Sequence, residues 1–480
     1  MHGQEKDTHL KVAADPMAGD TLLTLAEVPE GWQVGDTIVL AGTRYDGYKW
    51  SNDARAVVLH EPEDEVLTIT AIEGTEVFFD TPLQYDHDSP RADLKTSVAN
   101  YSRNITIATE DPETAAVHER GHVMFMHNDD VDVRYAAFEE LGRTDKSEPA
   151  MDAGAFEEIM PDANVKGRYS FHFHRTGTED QDNPAIAIGN AVFGSPGWGF
   201  VHHDSHAVLH ENASFNTLGA GFVSESGNET GSWTNNIAIQ ATGAWGNPKP
   251  FVDLTTFDTA KSGDGFWFQS RMVESSSNIA ASVNNGFVYF HRGAVEEGNQ
   301  LAFDAASFDL PEALGGGELI APDDAPVLNF HDNETFAAYS GLNVVKANPN
   351  QGHDIHSHFQ DFSAWSVVQG AHIEYTAHYI LEGFDLIGKE STPFSDPQSA
   401  ISIGTNTTDV SVVNARIDGF KTGIDATKSF TIDFTDDPGI RVVDPVITNT
   451  GTDLSNLDPA HEVITTVDPG RFEKIGRAHV

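Results

Sequence analysis

The chain has 480 residues, 39% of them hydrophobic, which is ample for a core, and its 74 acidic against 28 basic residues give a formal charge of −46. The excess is spread along the whole length, as on the solvated surface of a salt-adapted protein, and argues against nucleic acid as a partner. There is no cysteine, which excludes disulfides and thiolate chemistry, and no apolar run approaches the roughly 18 residues of a membrane span.

Met1-His-Gly enters directly on a β-rich pattern, so a secretion leader is expected to have been removed or not captured. Residues 9–85 carry short apolar runs, Thr21-Leu-Leu-Thr-Leu, Thr37-Ile-Val-Leu and Val66-Leu-Thr-Ile-Thr, separated by Gly and Asp turns, the pattern of a small β domain over 1–97. From Asn104 the pattern repeats. Asn104-Ile-Thr-Ile, His122-Val-Met-Phe-Met, Val131-Asp-Val-Arg, Ala185-Ile-Ala-Ile and Ala207-Val-Leu-His read as strands, with Asn and Gly at the corners for their tolerance of positive φ. Helical periodicity is almost absent.

Gly197-Trp-Gly-Phe-Val-His-His203 and Gly219-Ala-Gly-Phe-Val-Ser-Glu225 are offset by 22 residues, and Phe266 lies 44 beyond Phe222. Such an offset suits one coil of a β-solenoid, whose equivalent residues stack at about 4.8 Å. The solenoid is expected over 98–425, with a loop excursion at 308–328. Residues 426–473 are a terminal coil, a cap or the start of a further domain. Lys474–Val480 read like the translation of a sequencing-adapter oligonucleotide, as in an environmental assembly, and no function is expected of His479.

The register places His174 of Arg168-Tyr-Ser-Phe-His-Phe-His174 in one column with His203 and Glu225, with Asn247 and Gln269 as further occupants. Strand alternation puts His172 on the same face as His174, and Phe171 and Phe173 opposite. Two imidazoles and a carboxylate suit zinc, manganese, iron or calcium and leave positions open for water or substrate. Without metal they could serve as base and orienting partner, and a hydrogen-bonded ladder is the third reading. His202 alternates away and is expected on the exterior, and His206 and His210 flank the next strand.

A second charged group is Asp132, Arg134, Glu139, Arg143, Asp145 and Lys146. Asp132 and Arg134 suit an internal ion pair, whereas Arg143, Asp145 and Lys146, with Arg168 and Gln269, are substrate-side candidates, because guanidinium forks match carboxylates and positive charge is scarce. His353, His356 and His358 have metal-like spacing, but no carboxylate partner is evident in the sequence. Trp365, Tyr375 and Tyr379 could stack on sugar rings, although half-buried strand aromatics are the usual case.

Several motifs together resemble a known family. Gly35-Asp-Thr-Ile-Val-Leu and Thr81-Pro-Leu-Gln-Tyr-Asp-His87 look like the second half of an eight-glycine domain. Ser102-Arg-Asn-Ile, Gly121-His-Val-Met-Phe-Met, Phe138-Glu-Glu-Leu-Gly-Arg, Gly167-Arg-Tyr-Ser-Phe-His-Phe-His and Asn216-Thr-Leu-Gly-Ala-Gly-Phe then follow in the order seen in the family of cell migration-inducing hyaluronan-binding protein and transmembrane protein 2. Gly265-Phe-Trp-Phe and Ser340-Gly-Leu continue the likeness, which covers roughly 1–425. It implies an all-β chain, a right-handed parallel β-helix after a partial eight-glycine module, and hyaluronan binding or depolymerisation. The chain departs from the family in lacking its animal-type cysteines and in its acidity.

The reading is therefore a secreted or cell-surface microbial enzyme that degrades a polysaccharide, hyaluronan or another uronic-acid glycan. The column offers a single carboxylate, where a glycosidase needs two facing each other, so a lyase is at least as well supported as a hydrolase. The contrasting classes are a non-catalytic glycan-binding or adhesive solenoid and a metal-dependent oxygenase or esterase.

Overall fold

A computed structural model of the chain describes residues 1–45, 61–128, 130–148, 150–155, 158–178, 182–243, 260–290, 319–345, 353–392, 396–426 and 439–455, with the short stretches 48–51, 56–59, 295–296, 299–300, 302–304, 351 and 463–466. Asn247, most of the 308–328 segment, and Lys474–Val480 with His479 lie outside them. The N-terminal part is a six-stranded antiparallel sheet in the order His9–Lys11, Ser97–Asn100, Thr37–Leu40, Glu65–Glu73, Glu76–Phe79, Leu22–Thr24. Alternation along Glu65–Glu73 turns Leu67 and Ile69 inward against Leu23, Trp32, Ile38 and Phe79. The strand Ser97–Asn100 runs across the residues expected to separate the two domains.

Beyond it the chain winds as a parallel β-helix of three sheets. One coil takes Ala185–Ile188, Ala191–Ser195 and the first half of Phe200–His210. The next takes the second half of that strand, Ala213–Thr217 and Ala220–Ser224. Phe200 pairs with Phe222, and Phe222 with Phe266, the register that the Gly-Phe repeat implies. Their rings stack inside the solenoid at 4.9 and 4.8 Å, continued by Phe287 at 4.8 Å from Phe266. Ile440–Val443, Val446–Thr448 and Thr452–Ser455 stack on the coil before them, so residues 439–455 continue the solenoid. Trp365 and Tyr379 are fully buried, packed on Phe336 and Phe359, and neither offers a face to a sugar.

Corner asparagines do more than supply backbone freedom. Asn190, Asn212, Asn236, Asn278 and Asn333 are fully buried, and their Nδ2 groups donate to the carbonyls of Val133, Ala187, Leu209, Trp233 and Ser275. Each of the first four also donates to the Oδ1 of the next, which makes a ladder down the solenoid. The left-handed residue is the one before each asparagine: Gly189, Glu211, Asn235, Ser277 and Asp332 have φ between 54° and 65°. The N-terminal sheet covers the second sheet beside this ladder, where Val39, Ala99 and Tyr101 pack on Phe215, Ile237 and Ile239. Arg103 Nε donates to Gly189 O at 2.6 Å, and Lys11 pairs with Glu334 at 2.6 Å.

Asp264 gives a pH test of this architecture. It is 2% exposed, accepts from Asn285 Nδ2 at 2.7 Å, and burial pushes its carboxyl up to about 7. A folded-state pKa above the unfolded 3.8 means that the native state holds a proton the unfolded chain has lost, so this residue lowers stability as pH rises from about 4 to 7. Asp264→Asn keeps the acceptor and removes the charge. It is expected to stabilise the protein at pH 8, by on the order of 2–4 kcal/mol, and to change little at pH 4. Melting temperatures of both proteins at the two pH values check this, and an equal shift at both would reject it.

Candidate functional site

The strand Phe171–Gly177 pairs with Phe200–His210 so that His174 lies opposite His203. The next coil pairs His202 with Ser224, and Glu225 N donates to His202 O at 3.0 Å, which brings Glu225 beside His203. Alternation sends Phe171 and Phe173 into the core and His172 and His174 outward. One ring nitrogen from each of His172, His174 and His203 lies within 4.8 Å of the others. His174 Nδ1 is 3.0 Å from His203 Nδ1, which is 3.2 Å from Glu225 Oε2. That same oxygen is 3.8 Å from His172 Nε2.

The protons of this cluster are constrained. Gly167, at φ +88°, turns its carbonyl to accept from His172 Nδ1 at 2.8 Å, which fixes the tautomer and leaves a lone pair on Nε2. That nitrogen is buried without a hydrogen-bond partner and faces Glu225 Oε2, itself a buried acceptor. Burial, then the charge of neighbouring His203, lowers His174 to about 4, and burial lowers His172 to about 3, so both rings are neutral at ordinary pH. For His203 burial opposes the charge, but Glu225 outweighs it and the pKa is raised. Glu225 is likewise opposed by burial, and His203, His172 and Lys146 bring it down to about 2. One hydrogen on His203 Nδ1 cannot serve His174 and Glu225 together, whereas a cation among the three imidazole nitrogens, with the Glu225 carboxylate at its edge, would satisfy them. Ligands about 2.1 Å from a tetrahedral metal lie about 3.4 Å apart, close to the separations seen here.

Two arginines are brought together where the chain leads into the His172 strand. Arg143 N donates to Arg168 O at 2.7 Å, and Arg168 directly follows the Gly167 that holds His172. Desolvation, then the charge of Arg143, lowers the pKa of Arg168, and His122 is lowered by desolvation and then by both arginines. Neither guanidinium has an acidic partner among the described residues, and Arg143 Nε is buried without a hydrogen bond.

Other expected site residues have different surroundings. Lys146 is 1% exposed, with Nζ 3.7 Å from the centre of the Trp198 ring, so it meets no substrate face. Asp145 Oδ1 accepts from the backbone and hydroxyl of Ser147, a turn-forming task. Gln269 follows Glu225 in the column and is 8% exposed. His202 is inside, not exterior: it shares the face of Phe173, lies fully buried 6.2 Å from Trp233, and its Nε2 meets Ser205 O at 2.6 Å. His206 and His210 pair with Thr230 and Thr234 of the next coil. Asp132 accepts from Arg134 at 2.7 Å and also lies 3.1 Å from His2, a pair at the surface and not internal, with the Asp132 and Arg134 side chains 33% and 37% exposed. Glu139 lies next to Glu140, which pairs with Arg120.

Glu229 is a site residue that sequence reasoning missed. It is fully buried, and its carboxylate accepts from the backbone of Asp204, Ser226 and Gly227, fixing the turn that carries Glu225. The run Ser226-Gly-Asn ahead of an acid was its one signal.

No family model matches the chain. A G8 domain-containing protein of Dictyostelium discoideum is 27% identical over 230 residues, 48% of this chain and 17% of that protein. Communication mutant protein F of the same organism is 22% identical over 249 residues, 50% of this chain and 19% of its own length. The chain thus spans less than a fifth of either relative, and neither name mentions hyaluronan. Among solved structures, the catalytic domain of a GH87 alpha-1,3-glucanase in complex with tetrasaccharides is 10% identical, with 97% of this chain and 98% of that one covered, at a TM-score of 0.36. The tailspike of Pseudomonas phage phi297 is also 10% identical, with 96% and 66% covered, at 0.24.

Proposed function

We propose that this chain is an extracellular polysaccharide-degrading enzyme acting on a uronic-acid glycan. In it His172, His174, His203 and Glu225 hold a divalent cation, and Arg143 and Arg168 receive the uronate. The observation that carries the reading is the buried lone pair of His172 Nε2 set 3.8 Å from Glu225 Oε2, two acceptors with no hydrogen between them. Such a pair is costly unless a positive group joins it. Imidazoles at about 3 and 4 are poor proton acceptors at neutral pH but ready ligands, which favours the cation over a metal-free base. A divalent cation there supplies Lewis-acid polarisation and charge neutralisation of the bound sugar acid. Arg143 and Arg168, without an acidic partner among the described residues of a chain of −46, are suited to grip a carboxylate.

β-Elimination is the reaction proposed. The neutral ring of His122, which lies within the charge field of Arg143 and Arg168, takes the proton next to the uronate carboxylate, the C–O bond to the leaving sugar breaks, and the leaving oxygen takes a proton from water. A hydrolase would need a second free carboxylate, and Glu229 spends its oxygens on backbone N–H groups. Hyaluronan is the glycan that the eight-glycine resemblance implies. Purified protein with calcium, zinc or manganese is expected to release oligosaccharides with ultraviolet-absorbing unsaturated ends from uronic-acid glycans. Saturated products would select hydrolysis, and no release from any uronic or neutral glycan would leave a binding solenoid.

Salt provides another expected result. The acidic chain repels a polyanionic glycan, so raising sodium chloride from about 0.05 to 1 M, which shortens the Debye length to about 3 Å, should lower KM. A neutral substrate would show no such trend, and initial rates across the salt series tell the two apart.

A further inference from the structure

We infer that His356, His378 and Asp409 form a second divalent-metal site, which staples three successive coils on the first sheet. Ser357 pairs with Tyr379, and the flanking pairs Ala377 with Thr408 and Tyr379 with Val410 bring Asp409 beside His378. His356, His378 and Asp409 therefore occupy one column on consecutive coils. The order, two histidines and then a carboxylate, is that of His174, His203 and Glu225 on the third sheet.

The donor atoms converge. Asp409 Oδ2 is 2.9 Å from His356 Nε2 and 2.8 Å from His378 Nδ1, and all three atoms lie within 4.8 Å of one another. Two ligands about 2.1 Å from an octahedral ion and at right angles are about 3.0 Å apart, which these contacts match. The other carboxylate oxygen, Oδ1, takes Arg441 at 3.0 Å, an outer partner that orients a ligand through its far oxygen. His378 and Asp409 both take left-handed conformations, φ +64° and +51°, within strands, as do other residues of the solenoid. For side chains bearing a Cβ this conformation is costly, and such strain persists where surrounding contacts enforce it. Asp409 is 7% exposed at its side chain and His356 12%, while His378 at 22% leaves a path for the ion.

His353 and His358 take no part. His353 Nε2 meets Asp324 O and His358 Nε2 meets Glu382 at 2.8 Å, so the His-x-x-His-x-His spacing splits three ways and only His356 reaches the cluster. Imidazole and carboxylate with open positions select zinc, manganese or iron(II) over calcium.

The site is independent of the proposed catalytic centre, and the test reads metal rather than activity. Chelator-stripped full-length protein is titrated with zinc alone and then with manganese alone, and bound metal is counted by elemental analysis. Asp409→Asn and His378→Gln are each expected to lose one equivalent relative to the parent, whatever the parent total, and to keep the parent's rate of glycan release. Zinc at 100 times its Kd should raise the parent's Tm, and the part of that rise due to this site should vanish in both variants. Equal metal content in parent and both variants, each folded by circular dichroism, would overturn the proposal and leave a hydrogen-bonded triad. If instead His174→Ala alone changes metal content, the ion belongs to the first cluster only and this proposal fails.

Discussion

Glu225→Gln is expected to lower the rate of glycan release by about 10²–10⁴-fold while leaving the protein folded. The amide matches the carboxylate in shape but removes the charge that raises the pKa of His203 against its burial. It also removes the anionic member of the ligand set. A second readout separates this from a packing defect: in chelator-stripped protein, the His203 ring should titrate at lower pH in the variant than in the parent. The sign for stability follows from the same pair. His203 is raised above 6.5, so its contribution is complete below that value and is lost as pH rises through the raised pKa. Glu225 is lowered from 4.5 to about 2, so its contribution is complete above 4.5 and is lost as pH falls through about 2. The ion pair is thus at full strength between about pH 4.5 and 6.5, and the difference in melting temperature between parent and variant should peak there. A rate within tenfold of the parent, or an unmoved His203 titration, would reject the role given to Glu225.

The second large effect is on stability. Asn236→Ala is expected to destabilise the solenoid by about 3 kcal/mol or more, since each buried polar group left without a partner costs about 1–3 kcal/mol. Three groups lose the Asn236 side chain as partner outright, and a fourth, Asn278 Oδ1, keeps only the Asn236 backbone N–H. Asn212 N and Asn212 Nδ2 both lose the Asn236 Oδ1 they share at 2.9 Å, and the Leu209 carbonyl loses its donor. The residue before it makes the control. Asn235 is the left-handed corner residue, φ +54°, and Asn235→Gly keeps that conformation. It should therefore cost much less than the ladder substitution. Chemical denaturation of the two variants measures the difference, and a loss below about 1 kcal/mol for Asn236→Ala would show that water replaces the amide without penalty.

The ladder also marks a limit of sequence reasoning. Asn190, Asn212 and Asn236 recur at 22- and 24-residue intervals, each ahead of a strand, so the signal was present. It reads as turn chemistry because asparagine tolerates positive φ, and only the coordinates show that the preceding residue takes that conformation while the asparagine turns inward. His202 departs from expectation for a related reason. Alternation correctly separates it from His203, but a strand has two faces, and which one meets the core is decided by the stacking of Phe171, Phe200 and Phe222.

By itself the sequence determined the coil register. A 22-residue repeat of Gly and Phe can stack only one way without breaking the phenylalanine column, and that register carries His174, His203 and Glu225 to adjacent coils. Period-two alternation likewise put His172 beside His174. Only the tertiary structure decided what surrounds them. The Gly167 carbonyl fixes the His172 tautomer, Glu229 holds the turn of Glu225, and Lys146 lies buried over Trp198 instead of facing substrate. Asp409, which joins His356 and His378, lies 53 residues from one and 31 from the other. These contacts come from loops and from coils distant in sequence. Their geometry follows from how the loops fold over the sheets, and a periodic pattern carries no information about that.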